Sequence, residues 1–155
     1  TVQGEATELS LGTYVLNHKV LGADADVFLS AGYNIPNENF ILSAEYNIEK
    51  QISYHTNVYG SLTAEYNINN GSKTGEWVVT PLVGSTYTFN DKVAAFGEVS
   101  YDFDASNDWN GTGGLVEVGL NYNVTDGVYL RPSVTRSFDT ASNETNVGLT
   151  VGLAY

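Results

Sequence analysis

The chain has 155 residues, enough for one domain with a sizeable core. It contains no cysteine, which excludes disulfides and thiolate-bound metals. Eighteen acidic residues against six basic ones give a net charge of -12, which argues against a nucleic-acid partner, because binding phosphates requires a basic surface.

No run reaches the apolar length of a transmembrane helix. A chain that begins at Thr1 and lacks cysteine fits an exported protein that has lost its signal peptide, and equally a trimmed chain. No helix-period segment stands out. Instead polar and apolar residues alternate, the mark of strands with two unlike faces. Nine runs follow this rule: 5–16, 20–35, 40–48, 52–68, 76–89, 93–103, 114–124, 128–138 and 145–155.

In the first two runs the phase breaks. Leu9 and Leu11 are out of step with Tyr14 and Leu16, and Val20 with Val27 and Leu29. A bulge would reset each, or the first run lies outside the sheet. The third run puts Phe40, Leu42, Ala44, Tyr46 and Ile48 on one face and Ser43, Glu45 and Asn47 on the other. The fourth sets Ile52, Tyr54, Val58, Leu62, Ala64, Tyr66 and Ile68 against Ser53, His55, Tyr59, Ser61 and Glu65. Trp77, Val79, Pro81, Val83, Tyr87 and Phe89 continue the apolar face, followed by Val93, Ala95, Val99, Tyr101 and Phe103. Val116, Val118, Leu120, Tyr122 and Val124 come next, then Val128, Leu130, Val134, Arg136 and Phe138, then Val147, Leu149, Val151, Leu153 and Tyr155.

Arg136 is the one charge on these apolar faces, whereas the reverse faces carry Glu45, His55, Glu65, Glu98, Asp102, Glu117 and Arg131. A soluble sandwich buries its apolar face; a membrane barrel turns it to lipid, where a midplane charge costs about 2–4 kcal/mol. Aromatic residues favour the second arrangement. Tyr46, Tyr87, Tyr122 and Tyr155 fall at or near one set of run ends, and Tyr33, Tyr66, Tyr101 and Phe138 end the runs between them. Two rings of aromatic side chains at opposite strand ends form interfacial girdles. Arg136, two residues before Phe138, can snorkel to the rim.

The motifs "YVLNHKV", "YNIEKQI", "YTFNDKV" and "YNVTDGV" read as short hairpins. In each, a tyrosine anchors the interface and three polar residues turn, with Lys19, Lys50 and Lys92 inside the turns and Asp126-Gly127 supplying turn chemistry. The opposite connections, Asn69 to Glu76, Asp104 to Gly114 and Asp139 to Glu144, are longer. Pro81 and Pro132 remove ladder donors, so bulges or distorted pairing are expected beside them.

"GLTVGLAY", Gly148 to Tyr155, resembles the C-terminal insertion signal of Gram-negative outer-membrane proteins, although Tyr155 replaces the commoner phenylalanine. Stretches such as "VGSTYTFNDKVAAFGEVSYDF", Val83 to Phe103, resemble hairpins of small outer-membrane barrels and the porin-like superfamily. The resemblance implies an all-β, antiparallel up-and-down transmembrane barrel filling residues 1–155 and lying in the bacterial outer membrane. Its partners would be outer-membrane lipid and lipopolysaccharide, with the barrel-assembly machinery engaging Gly148–Tyr155. The short turns would be periplasmic. Bacterial barrels use even strand numbers; chain length favours eight, and an additional strand would make ten.

Pairing Ile48 with Ile52 would place Glu45 opposite His55, within reach of an interaction. Arg131 would fall opposite Asn121 with Glu98 and Glu117 on neighbouring strands, an ion-pair hub. Small residues Ser43, Ser61, Gly84 and Gly119 would leave room for a file of water, in which acidic walls favour cations. Asp102, Asp104 and Asp108 form a weak candidate for calcium, and Trp109 in the same loop is a candidate contact for a partner or for lipid headgroups. The function expected is passive permeation of small solutes through a narrow, net acidic lumen, with no enzyme activity and no cofactor. A non-conducting structural or adhesion barrel is the alternative. A lipid hydrolase using Ser53 and His55 is a third.

Overall fold

The computed structural model describes residues 8–35, 38–69, 75–125, 127–139 and 143–153. They form nine strands: β1 Glu8–Val20, β2 Ala23–Asn34, β3 Asn39–Gln51, β4 Thr56–Asn69, β5 Glu76–Asn90, β6 Val93–Asp104, β7 Asn110–Thr125, β8 Val128–Phe138 and β9 Thr145–Leu153. They make a single antiparallel sheet in up-and-down order from β1 to β9. The nine alternating runs therefore map onto nine strands. The count is not the eight that chain length favoured, and the first run belongs to the sheet. Among the described residues no ladder joins β1 to β9, so the sheet is open along those two edges. The strands run from 9 residues in β9 to 16 in β7, much longer than the roughly 5–6 residues usual in globular sheets.

The phase breaks at the start have two separate causes. A bulge lies between Tyr14 and Leu16, so Leu11 and Leu16 share the apolar face while Tyr14 pairs with Phe28 on the polar one. Val20 is reset by the turn. Leu21 and Gly22, with φ of 51° and 78°, form a two-residue hairpin that pairs an even-numbered residue with an odd-numbered one, Val20 with Ala23. Two positive φ values match the twist of the flanking strands. Lys19 consequently lies in β1 and bonds Asp24 across the hairpin at 2.7 Å.

The opening of β4 also departs from expectation. β3 runs on to Gln51, which pairs with Asn57, so Ile52 to His55 make the turn and Tyr54 leaves the strand face. Ile48 pairs with Gly60, not with Ile52, and Glu45 pairs with Thr63, far from His55. In the β5–β6 hairpin the extra residue is a bulge at Phe89 followed by a two-residue Asp91-Lys92 turn, and Asn90 Oδ1 accepts the backbone N–H groups of Lys92 and Val93 at 2.9 and 3.1 Å. In the β7–β8 hairpin a register shift lies between Asn123 and Thr125; Asp126 lies outside the described residues. Bulge plus two-residue turn keeps the face phase as a three-residue loop would. The β6–β7 connection is shorter than expected, because β7 already begins at Asn110.

Pro81 and Pro132 leave gaps and no bulges. Register resumes unchanged from Val79↔Phe103 to Leu82↔Ser100 around Pro81, and from Gly119↔Ser133 to Tyr122↔Leu130 around Pro132. Thr80 Oγ1 donates to Asp102 Oδ1 at 2.6 Å and spans the first gap with side chains.

One row of cross-strand partners on the apolar face reads Ala25, Ile48, Gly60, Val83, Val99, Val116 and Arg136. It starts beside the short turn of β2 and ends near the far end of β8. Such a stagger is what closing a tilted sheet into a barrel requires. Among the described residues the buried apolar side chains are Ala23, Ala25 and Phe96, and most large side chains of the apolar face are exposed.

Candidate functional site

The polar face is where side chains reach over intervening strands. Glu49, Tyr59, Gly84, Glu98, Glu117 and Thr135 form one row across β3 to β8. Glu98 and Glu117 are direct partners, an arrangement in which like charges repel. Arg131 relieves it from β8: its Nη2 lies 3.5 Å from a carboxylate oxygen of each. The guanidinium also sits 3.8 Å above the centre of the Phe96 ring, a cation–π contact that holds the hub against the sheet. Tyr59 lies across β5 and donates its hydroxyl to Glu98 Oε2 at 2.7 Å.

Two glycines make this packing possible. A Cβ on Gly84 would lie 2.5 Å from Tyr59 Cζ, and one on Gly119 would lie 2.5 Å from the Pro132 carbonyl oxygen and 2.7 Å from Phe96 Cε1. Gly84 and Gly119 thus leave no open space for water, as the sequence reading had them do; aromatic rings cover both. Ring over glycine recurs as a device for holding strand pairs in register.

Beside the hub a cavity of about 410 Å³ is lined by Tyr14, Asp26, Glu45, Asn47, Tyr59 and Glu98, among others. Asn47 donates to Asp26 at 3.0 Å and Asn57 to Glu49 at 2.9 Å. Ser43 and Ser61 lie on this face, paired with Glu65 and Asn47. Glu65 accepts from Asn67 at 2.9 Å. A surface with this many carboxylates attracts cations and repels anions.

His55 is not part of this cluster. It sits exposed in the β3–β4 turn, its Nδ1 2.7 Å from the Thr88 carbonyl and its ring stacked on Tyr87 at 5.7 Å. Ser53 Oγ accepts the backbone N–H of His55 at 3.3 Å, while the ring Nδ1 is turned to the Thr88 carbonyl. The three aspartates also stay apart. Asp102 binds Thr80, Asp104 caps the Ser106 N–H at 2.9 Å, and Asp108 is a turn residue with φ of 52°. Among the described residues no group of acidic or histidine side chains could hold a metal ion. Trp109, 60% exposed, occupies the same turn.

The aromatic residues of the apolar face fall into two groups. Towards the longer connections Tyr66 meets Trp77 at 4.8 Å, and Tyr101 meets Phe103 and Phe138 at 5.0 and 6.0 Å. Towards the short turns Tyr87 meets Phe89 at 5.1 Å and Tyr46 meets His18 at 5.9 Å. Tyr33 and Tyr122 point from the same face. Tyr46 lies further from its strand end than expected, because β3 continues to Gln51. Tyr155 lies outside the described residues.

Tyr59, Phe96 and His18 were not singled out in the sequence. For the first two the available signal was a glycine on the same face of the adjacent strand. His18 left none: it lies on the apolar face, and its Nδ1 is buried without a hydrogen-bond partner among the described residues. No protein-family model matches the chain, and no curated protein matches it.

Proposed function

We propose that the chain is an integral outer-membrane β-barrel whose sheet closes along β1 and β9, with the polar face inward and the apolar face against lipid. The carrying observation is the inversion of burial. Leu42, Leu62, Val83, Val118, Leu120 and Leu149 are exposed on one face, while Arg131, Glu98 and Glu117 satisfy one another on the other. A water-soluble sheet of this size would hide the first set. Strand length supports the same reading, since about 9–11 tilted residues span a bilayer. The C-terminal strand, Gly148 onward, would engage the assembly machinery.

Within that barrel the function is passive permeation of small solutes along an acidic lumen, with preference for cations. The carboxylates around the 410 Å³ cavity support that preference. The test is single-channel recording in a planar bilayer, after confirming a heat-dependent gel shift of the folded protein. Cation-selective steps are expected, weakened by Glu98→Gln and Glu117→Gln. Anion selectivity, or steps indifferent to both substitutions, refutes the permeation reading. A non-conducting structural barrel is the second reading, supported by Arg131, Phe96 and Tyr59, which together span β4 to β8 across the polar face. It predicts insertion with no steps.

A further inference from the structure

On the apolar face a groove of about 470 Å³ opens beside the β1–β2 and β3–β4 turns. Val20, Ile48, Val58 and Val83 wall it, and the small residues Ala23 and Gly60 give it depth. Among the described residues Lys50 is the one charged side chain lining it, and no carboxylate does. The nearby acidic groups belong to the polar face and are engaged there: Asp24 with Lys19 at 2.7 Å, and Glu49 with Asn57 at 2.9 Å. Lys50 Nζ donates to the Leu21 carbonyl at 3.1 Å, which fixes the ammonium at the turn end of the groove. Two of its three N–H donors remain for a ligand.

The turns around this mouth are unusual for a surface facing water alone. Leu21 is 93% exposed, and it occupies a left-handed turn position normally left to Gly, Asn or Asp. Ile52 and Tyr54 are also exposed beside it. Apolar walls, small residues at the base and one fixed cation at the mouth match a single amphiphile with a negative head.

We infer that this groove holds one acyl chain of an anionic phospholipid, with the lipid phosphate against the Lys50 ammonium. The inference rests on the membrane-barrel reading and adds to it a defined lipid site at the short-turn rim. Lys92, on the β5–β6 turn, lies outside the groove lining and serves as a control.

The test is native mass spectrometry of the full chain released from detergent micelles, supplied with phosphatidylglycerol or phosphatidylcholine of identical acyl chains. The parent protein should retain one phosphatidylglycerol over phosphatidylcholine by about fivefold, the factor one lysine near a membrane surface supplies. Lys50→Gln should bring that ratio near unity and Lys92→Gln should leave it. Val83→Phe, at an exposed position where a ring needs no core space, should lower retention of both lipids. Equal retention of the two lipids by the parent, or a preference that survives Lys50→Gln, overturns the proposal. Insertion into vesicles, read separately by the heat-dependent gel shift, distinguishes the two failures. Insertion without lipid preference refutes the groove alone, and absence of insertion refutes both.

Discussion

Val118→Arg asks directly which face meets lipid. Val118 lies midway along β7, is 51% exposed, and pairs with Gly97 on one side and Val134 on the other. Neither neighbour offers a counter-charge. In a bilayer an arginine at this depth costs about 2–4 kcal/mol, falling to about 0–1 kcal/mol near the interface. On a sheet bathed by water the same change stays within about 0.5 kcal/mol. Val124→Arg, at the register shift beside the β7–β8 turn, supplies the turn-end reference on the same strand. Urea titration of the chain folded into vesicles measures both costs, with Trp77 and Trp109 as fluorescent probes. With a urea slope of about 1–3 kcal/mol per molar, Val118→Arg should lower the midpoint by about 1 M or more, and Val124→Arg by much less. Equal effects at the two positions, or no effect at Val118, would refute the orientation on which the functional reading stands.

Other consequences are as direct. Arg131→Gln leaves Glu98 and Glu117 facing each other and should cost about 1–3 kcal/mol, largely recovered in the Arg131→Gln/Glu117→Gln double variant when the same titration is run as a double-mutant cycle. Gly119→Ala drives a Cβ to within 2.5 Å of a backbone oxygen and should cost about 1–3 kcal/mol, whereas Gly148→Ala, whose nearest neighbour is Ser133 Oγ at 3.6 Å, should be close to neutral. Because the described residues contain no cysteine, cysteines placed at Leu11 and in turn at Val147, Leu149 and Val151 should cross-link in vesicles at one register of a closed β1–β9 seam. No cross-link at any position would mean the seam stays open.

Strand existence was legible in the sequence because it depends on one period, and that period survives wherever one face differs from the other. Every run became a strand with adjusted ends; the first also needed a bulge within it, and the irregularities of β5 and β7 fall beside their turns. Turns were less legible. A three-residue loop and a bulge followed by a two-residue turn give the same face phase, so "YTFNDKV" located its hairpin while leaving the pairing of Phe89 open. "YNIEKQI" misplaced its hairpin because Glu49-Lys50-Gln51 carry polar side chains at a strand end, where the chain still has ladder partners in Tyr59, Val58 and Asn57. That shift removed His55 from Glu45. The grouping of Arg131, Glu98 and Glu117 was legible because it follows from strand order and face alone. Its aromatic part was not. A glycine on a strand reads as empty space until the facing ring is placed, and Tyr59 over Gly84 and Phe96 over Gly119 turn apparent vacancies into close contacts.

In an up-and-down sheet of nine strands, β1 and β9 run in the same direction, both from the side of the longer connections towards the short turns. A seam between them is therefore parallel, unlike every other ladder in the sheet. Odd-stranded membrane barrels are the exception, but the physics permits them: a parallel ladder satisfies the same N–H and C=O groups at a small loss per residue. In a bilayer the alternative is worse, since an open edge leaves a column of backbone donors and acceptors facing hydrocarbon. Among the described strand residues of the apolar face, Val147, Leu149 and Val151 along one edge and Leu11 along the other are the most solvent-exposed aliphatics, and Leu16, on the same strand as Leu11, is half-exposed. Seam formation would bring these two sets side by side and complete the outer surface at the point where it is now interrupted. The drive to close the sheet and the drive to enter lipid therefore act on the same residues.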